Sequence, residues 1–482
     1  MPKPSPRPYY LDPLAERYAS SAMSALFSDD TKFTTWRRLW IALAECEKEL
    51  GLGITGAQIA QMKATVTPID YERVRRIEAE TRHDVMAHIK AWAEKCPKAR
   101  PIIHLGATSA YVGDNTDLIV MREAARILLR RLAVVIGTLK AFALKHRQLA
   151  TLGFTHFQPA QLTTVGKRAC LWLLDLTMDF EALESFQANL PFRGVKGTTG
   201  TQASFLTLFD GNHAKVRKLD AMVSKRMGFD RVLPVTGQTY TRKIDSQAAA
   251  AVAGLAQSLH KLANDIRLLQ HLKEIEEPFE KSQVGSSAMA YKRNPMRSER
   301  LTALCRHIIA LAQEPAMTAS EQWLERTLDD SASRRLSLPG LFLSADAALV
   351  VARSVCDGLV VNPAMIERHI REELPFMATE TVLMEAVRKG GDRQDLHERI
   401  RRHAVAAGSR VKQQGAENDL LERIAADKAF GMDRTRLHAL LNVREFVGRA
   451  PEQVLEFVKG TVDPILARAR AYGPVEDVHL LV

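Results

Sequence analysis

The sequence predicts an all-α protein of three helical domains, the central one a bundle of long helices. Apolar residues recur at alternating three- and four-residue intervals over long stretches, and strand signals are sparse. The chain of 482 residues is also too long for one ordinary core.

The longest seam runs through Leu118, Met121, Ala125, Leu128, Leu132, Val135, Leu139 and Phe142. As one helix over 115–146 it would be about 48 Å long at a rise of about 1.5 Å per residue. A second seam joins Val252, Leu255, Leu259, Leu262, Ile266 and Leu269, and a third joins Ala169, Leu173, Leu176, Phe180 and Leu183. Such spacing marks helices packed almost parallel. A stripe this long must be covered along its whole length, by helices of the same chain or of other chains, so an oligomer is expected. Residues 1–108 read as shorter helices and loops, with one helix from Trp36 to Leu50 that Gly51 ends. Residues 109–361 form the bundle, and 362–482 are again mixed helical, rich in Arg and Glu.

Hydrophobic residues at 46% and charged residues at 26% exclude a disordered or collagen-like chain. The 67 basic against 56 acidic residues leave a net charge of +11, which suits small polyanionic substrates, nucleic acid, an anionic membrane face or simply a solvated basic surface. No helix-turn-helix, zinc or aromatic–basic module supports nucleic acid. Cys46, Cys96, Cys170, Cys305 and Cys356 are scattered and odd in number, which points to free thiols in a reducing compartment and away from structural zinc. The first ten residues lack the apolar core of a secretory signal, and stretches such as 248–255 are too short to span a membrane, so a cytoplasmic location is expected.

Two motif matches fail on context. Gly51-Leu-Gly-Ile-Thr-Gly56 fits a dinucleotide fingerprint but follows a helix rather than a strand, and Thr55 with Gln58 reads as a capping box. His397-Glu398 has Arg401 where a zinc-protease helix needs its second His.

Four segments carry chemistry. Residues 276–300 interrupt two helical runs with Gly285, Ser286, Ser287, Lys292, Arg293 and Arg297, and Asn294-Pro295 reads as a helix start. A polar, basic loop at a helix N-terminus can hold an anion. His156 lies between a helix end and a helix beginning at Thr163, where Thr155, Gln158 and Gln161 could orient its ring. Gly106-Ala-Thr-Ser109 reads as a turn and cap feeding the longest helix. Arg326, Ser331, Arg334 and Arg335 stand at near-helical spacing and could clamp a phosphate or form a solvated face. Arg17-Tyr18 and Arg82-His83-Asp84 are weaker candidates of the same kind.

Together these segments resemble one family. Gly285-Ser-Ser-Ala-Met-Ala-Tyr-Lys-Arg-Asn294 resembles the signature loop of the fumarase/aspartase superfamily. Arg297-Ser-Glu-Arg300, Trp323 to Ser331, Gly194 to Gln202 and Leu374 to Glu380 resemble the animal-type adenylosuccinate lyase family. The likeness runs from Tyr18 to the C-terminal region.

The resemblance implies a cofactor-free, metal-free elimination of fumarate from phosphorylated succinyl-purine substrates, in a homotetramer whose active sites are each shared by three chains. It assigns Ser286 as the base and His156 as the general acid. A proton beside a carboxylate is a poor acid, so the base must be close and the dianionic carbanion stabilised. It further implies that Lys292 and Asn294 hold the charge-collecting carboxylate, and that Thr108, Ser109 and Gln238 hold the succinyl part. Arg17, Tyr18, Arg326, Ser331 and Arg335 match phosphate-side positions, and Arg82, His83, Asp84 and Arg300 match further contacts. Where the family has Pro after the signature Met, this chain has Ala290, which puts loop closure and turnover in question while leaving every reacting group in place. The rival readings are another fumarate-releasing lyase, such as an argininosuccinate lyase, and a non-catalytic scaffold on the same fold.

Overall fold

The computed structural model describes residues 10–280, 283, 288–289 and 291–475. Ser286, Ser287 and Ala290 lie outside the described residues.

Helix α1 (Asp29–Glu49) starts at a Ser28 cap and ends where Gly51 turns left-handed. The capping box of Thr55 and Gln58 is formed. Helix α2 (Asp84–Lys95) precedes α3 (Ser109–Lys145), which begins earlier than the 115 expected from its apolar seam. Gly113 and Asp114 stand ahead of the expected helix start, but the polar side chains of Asp114, Asn115 and Asp117 are used inside the protein. Asp114 pairs with Arg242, Asp117 pairs with Arg334, and Asn115 bonds both the N–H and the carbonyl of Gly194. The helix therefore runs on through them.

A two-stranded hairpin, β1 (Ala150–Thr155) and β2 (Gln158–Thr164), stands where a helix-to-helix loop was expected. Then come α4 (Val165–Asn189), α5 (Lys243–His271), a short β3 (Ile275–Glu276), α6 (Met296–Leu311), α7 (Gln313–Ser320) and α8 (Asp330–Cys356). Strand β3 pairs with β4 (Val360–Val361), just ahead of α9 (Pro363–Met377).

Side-chain ties give the helix directions. Arg334 near the start of α8 meets Asp117 near the start of α3, and Asp346 farther along meets Arg131 farther along, so these two helices are parallel. Arg334 also meets Asp245 at the start of α5, which puts that helix alongside. Trp172 early in α4 donates to Asp265 late in α5, and Arg297 early in α6 donates to the Ser354 carbonyl late in α8, so α4 and α6 run the other way. The bundle is up-down-up-down-up. Every residue of the three predicted seams is at most 8% exposed.

Among the described residues, α8 is long and apolar enough to cross a membrane by length and composition, yet 78% of its apolar window is buried in the bundle. The main core runs from Met23 through the bundle to Leu374 and takes in Val454 to Ala469, because α10 (Ala450–Phe457) and α11 (Asp463–Ala469) return to lie on α3 and α4. Val382 to Leu437 build a separate core.

Candidate active site

Three helix N-termini meet at one end of the molecule: α2, α3 and α8. A buried ionic network locks α3 and α8 to the start of α5. Arg242, 2% exposed, reaches Asp114 at 3.1 Å and Asp330 at 2.6 Å. Arg334 reaches Asp245 at 2.6 Å and Asp117 at 2.9 Å. Burial drives the Tyr240 phenol well above its usual range, so it stays protonated and donates to Asp245 at 2.5 Å. Burial also pushes the Asp114 carboxyl up, but Arg242, Arg334 and Arg193 together hold it below its ordinary value. Fully buried Arg193 donates to the carbonyls of Gly194, Gly197 and Gln238.

Around this network stand nine of the predicted residues. His83 caps α2: its Nδ1 accepts from the Met86 N–H at 3.3 Å, which leaves Nε2 of the neutral ring to carry the proton toward Ser109 Oγ, 3.4 Å away. Thr108 is the N-cap residue of α3, and its hydroxyl accepts from Gln238 Nε2 at 3.5 Å. The backbone of Gln238 is pinned in turn, its N–H bonded to the Glu325 carbonyl at 2.9 Å. Arg82, in left-handed conformation, ends the helix before α2. Arg335 stands 3.7 Å from Asp84, Arg326 pairs with Asp330 at 2.7 Å, and Ser331 lies in the first turn of α8. Positive helix ends, amides, hydroxyls and exposed guanidinium groups suit a substrate carboxylate or phosphate. The Arg cluster divides here. Arg334 is committed inside the network and cannot clamp a phosphate, whereas the side chain of Arg335 is 66% exposed.

His104 belongs to this end and was missed in the sequence. It takes a left-handed conformation (φ 69°), and its Nδ1 accepts from Trp40 Nε1 at 2.8 Å. Burial, with His83 adding to it, lowers its pKa to about 4, so the ring next to His83 is neutral. Its sequence neighbours Ile103 and Leu105 are apolar and carry no signal that could have marked it.

The other predicted groups lie elsewhere in the chain. His156 and Phe157 form the tip of the hairpin, both left-handed (φ 54° and 58°), as a two-residue turn requires. Non-glycine residues in that region cost about 1–3 kcal/mol each, strain that clusters at functional sites. Gln158 does not orient the imidazole; its amide donates to the Phe157 carbonyl. The hairpin base is fixed at the far end of α3, where Val165 N–H bonds the Leu149 carbonyl and Gly166 N–H bonds that of His146. A 37-residue helix is about 54 Å long, and a six-residue strand reaches back about 20 Å at most. His156 is therefore at least about 30 Å from Ser109 of its own chain.

The loop expected to carry the base also springs from the far end. Glu277, 3% exposed, accepts from the N–H groups of Arg297 and Ser298 at 3.0 and 2.9 Å and from Ser298 Oγ at 2.8 Å. This carboxylate from twenty residues back caps α6, so Asn294 does not, and the helix begins at Met296. Gln270 spans the stem, donating to the Arg293 carbonyl and accepting from the Glu277 N–H. Lys292 is exposed; Asn294 and Arg300 are half-buried. Arg17 and Tyr18 ride on a turn next to Ser20, whose N–H bonds Asp346 at 2.6 Å. That anchor is fifteen residues, or about 22 Å, along α8 from Ser331. A groove of about 510 Å³ between the end of α4 and the start of α5, lined by Ala182, Phe186, Leu190, Ile244 and Ala251, holds none of the predicted residues.

A family profile described as lyase matches residues 19–310, and one described as adenylosuccinate lyase C-terminus matches residues 375–457. The chain is 53% identical to the adenylosuccinate lyase of Saccharomyces cerevisiae, over 98% of this chain and 99% of that one. The chain belongs to the adenylosuccinate lyase family. The Schizosaccharomyces pombe member is 50% identical over the same shares. The 3-carboxy-cis,cis-muconate lactonizing enzyme of Pseudomonas putida, 21% identical, superposes with a TM-score of 0.78 over 95% of this chain and 99% of that one, which shows a common fold. Family membership accounts for the long helical bundle.

Proposed function

We propose that the chain eliminates fumarate from adenylosuccinate, giving AMP, and from succinyl-aminoimidazole carboxamide ribotide. Full-length identity of 53% to an adenylosuccinate lyase carries this reading. The helix-end cluster supports it, because one phosphate and two carboxylates need several cations and N-terminal amides together. In this reading Ser286 removes the proton from the carbon next to the carboxylate. His156 protonates the departing nitrogen. Lys292 and Asn294 hold the carboxylate that gathers charge.

The chain works as a homotetramer with shared sites. What supports sharing is distance: one chain cannot bring His156 to Ser109, so a site that uses both draws on two chains. Trp323, Leu324, Leu328 and Leu336, 69–97% exposed next to the helix-end cluster, are surfaces that another chain would cover. Domains of 1–108, 109–361 and 362–482 fit the separate core of 382–437, with α10 and α11 tying the last domain back to the bundle. A cytoplasmic location accords with five buried free thiols.

Ultraviolet spectroscopy with adenylosuccinate and with argininosuccinate tests the activity; no change with adenylosuccinate defeats the reading. Mixing His156→Ala with Ser286→Ala chains tests sharing. Random assembly returns about a quarter of wild-type activity if the two groups come from different chains, and none if one chain supplies both.

A further inference from the structure

The carboxylate of Glu274 is completely buried between the end of α5 and β3, outside the helix-end cluster. Its Oε1 lies 2.8 Å from His369 Nδ1 on α9. Its Oε2 accepts from Thr151 Oγ1 of β1 at 3.3 Å and stands 3.9 Å from Arg168 NH1 on α4. Arg168 donates through its other terminal nitrogen to the Leu152 carbonyl, also in β1. Arg168 NH1 is buried and has no hydrogen-bond partner among the described residues; Glu274, with Asp265 adding to it, balances its charge. The backbone is held as firmly: Asn362 N–H bonds the Glu274 carbonyl at 2.9 Å, and the Asn362 amide donates to the Lys273 carbonyl at 3.0 Å. Three residues on, Glu277 closes the start of α6.

We propose that Glu274 is a positioning residue that sets two elements at once: the hairpin whose tip is His156, and the segment 275–280 that leads toward Ser286. It rests on the function proposed above. A buried carboxylate that ties β1, α4 and α9 to the first residue of the loop stem transmits any shift of one to the other. The hairpin tip lies several residues beyond this anchor, so a small rotation at the base grows into ångströms at His156. Misplacement of about 1 Å can cost about 100-fold in rate.

The test is kinetic. Glu274→Gln keeps the shape and removes the charge; kcat should fall about 10- to 100-fold while KM stays within about threefold, with helicity and assembly unchanged. If that variant does not fold, Glu274→Asp keeps the charge opposite Arg168 but draws it back by one methylene, and kcat should fall about threefold or more. Mixed assembly separates positioning from general weakening. Glu274→Gln chains should restore neither His156→Ala nor Ser286→Ala chains, because both of their own contributions are misplaced. Normal kcat in Glu274→Gln, or recovery with either partner to the level of the His156→Ala and Ser286→Ala mixture, overturns the proposal. If that reference mixture itself stays inactive, the shared-site reading fails and the kcat arm alone decides the role of Glu274.

Discussion

Glu47 sits on α1 with 0% exposure, and neither of its carboxylate oxygens has a hydrogen-bond partner among the described residues. It lies within electrostatic reach of Tyr111, in the first turn of α3, where α1 packs against that helix. Burial raises its pKa from 4.5 to about 8. The sign follows from linkage: the folded value is above the unfolded one, so stability is greatest near or below the unfolded pKa and falls as pH climbs toward the folded one. By about pH 7.5 the unfolded side chain is ionised and the folded one still largely protonated, and each pH unit across that interval costs about 1.36 kcal/mol. Glu47→Gln keeps the shape and cannot ionise. Its advantage over the wild type should grow by about 3 kcal/mol between about pH 5 and about pH 7.5. Urea unfolding of both proteins at the two pH values and at equal protein concentration measures this. A gap between variant and wild type that stays flat with pH would show that Glu47 does not titrate across the transition, and the reasoning would fail.

Arg242→Met takes from buried Asp114 its ion-pair partner and leaves Asp330 with Arg326 alone, and should cost about 3–5 kcal/mol together with most activity, read by denaturant unfolding and by turnover. Glu277→Ala uncaps α6 and leaves the N–H groups of Arg297 and Ser298 unpaired, for a loss of about 1–3 kcal/mol and a lower kcat; an unchanged kcat would detach the loop stem from turnover. His156→Ala should leave the melting temperature unchanged, since the side chain is exposed at a hairpin tip, and lower kcat about 10²- to 10⁴-fold; near-normal turnover removes it from the reaction.

The hairpin shows where pattern reading stops. Residues 150–164 contain no Asn-Gly or Asp-Gly turn, and their Thr and Gln residues give little alternation, so they read as a loop. What makes them strands is pairing with each other over the end of α3, with Thr151 tied to Glu274 from a distant part of the chain and Leu152 to Arg168 of the helix that follows. Likewise the helix expected from 115 starts earlier, because Arg242 and Arg334, more than a hundred residues away, take up the carboxylates of Asp114 and Asp117. Asn294 reads as a cap until Glu277 arrives to do that work.

The amino-acid order by itself determined the long helices, since an apolar seam of three-four period has one way to be buried. It also determined the chemical inventory, because the signature loop and the Arg, His and Ser residues are local text. Tertiary structure alone decided which of those groups meet. It gathered Arg82 to Asp84, Thr108, Ser109, Gln238 and the start of α8 at one end, and sent His156 and the loop stem to the other. The reason is length: a rigid helix of about 54 Å separates residues that a sequence sets side by side, and only packing tells which ends coincide.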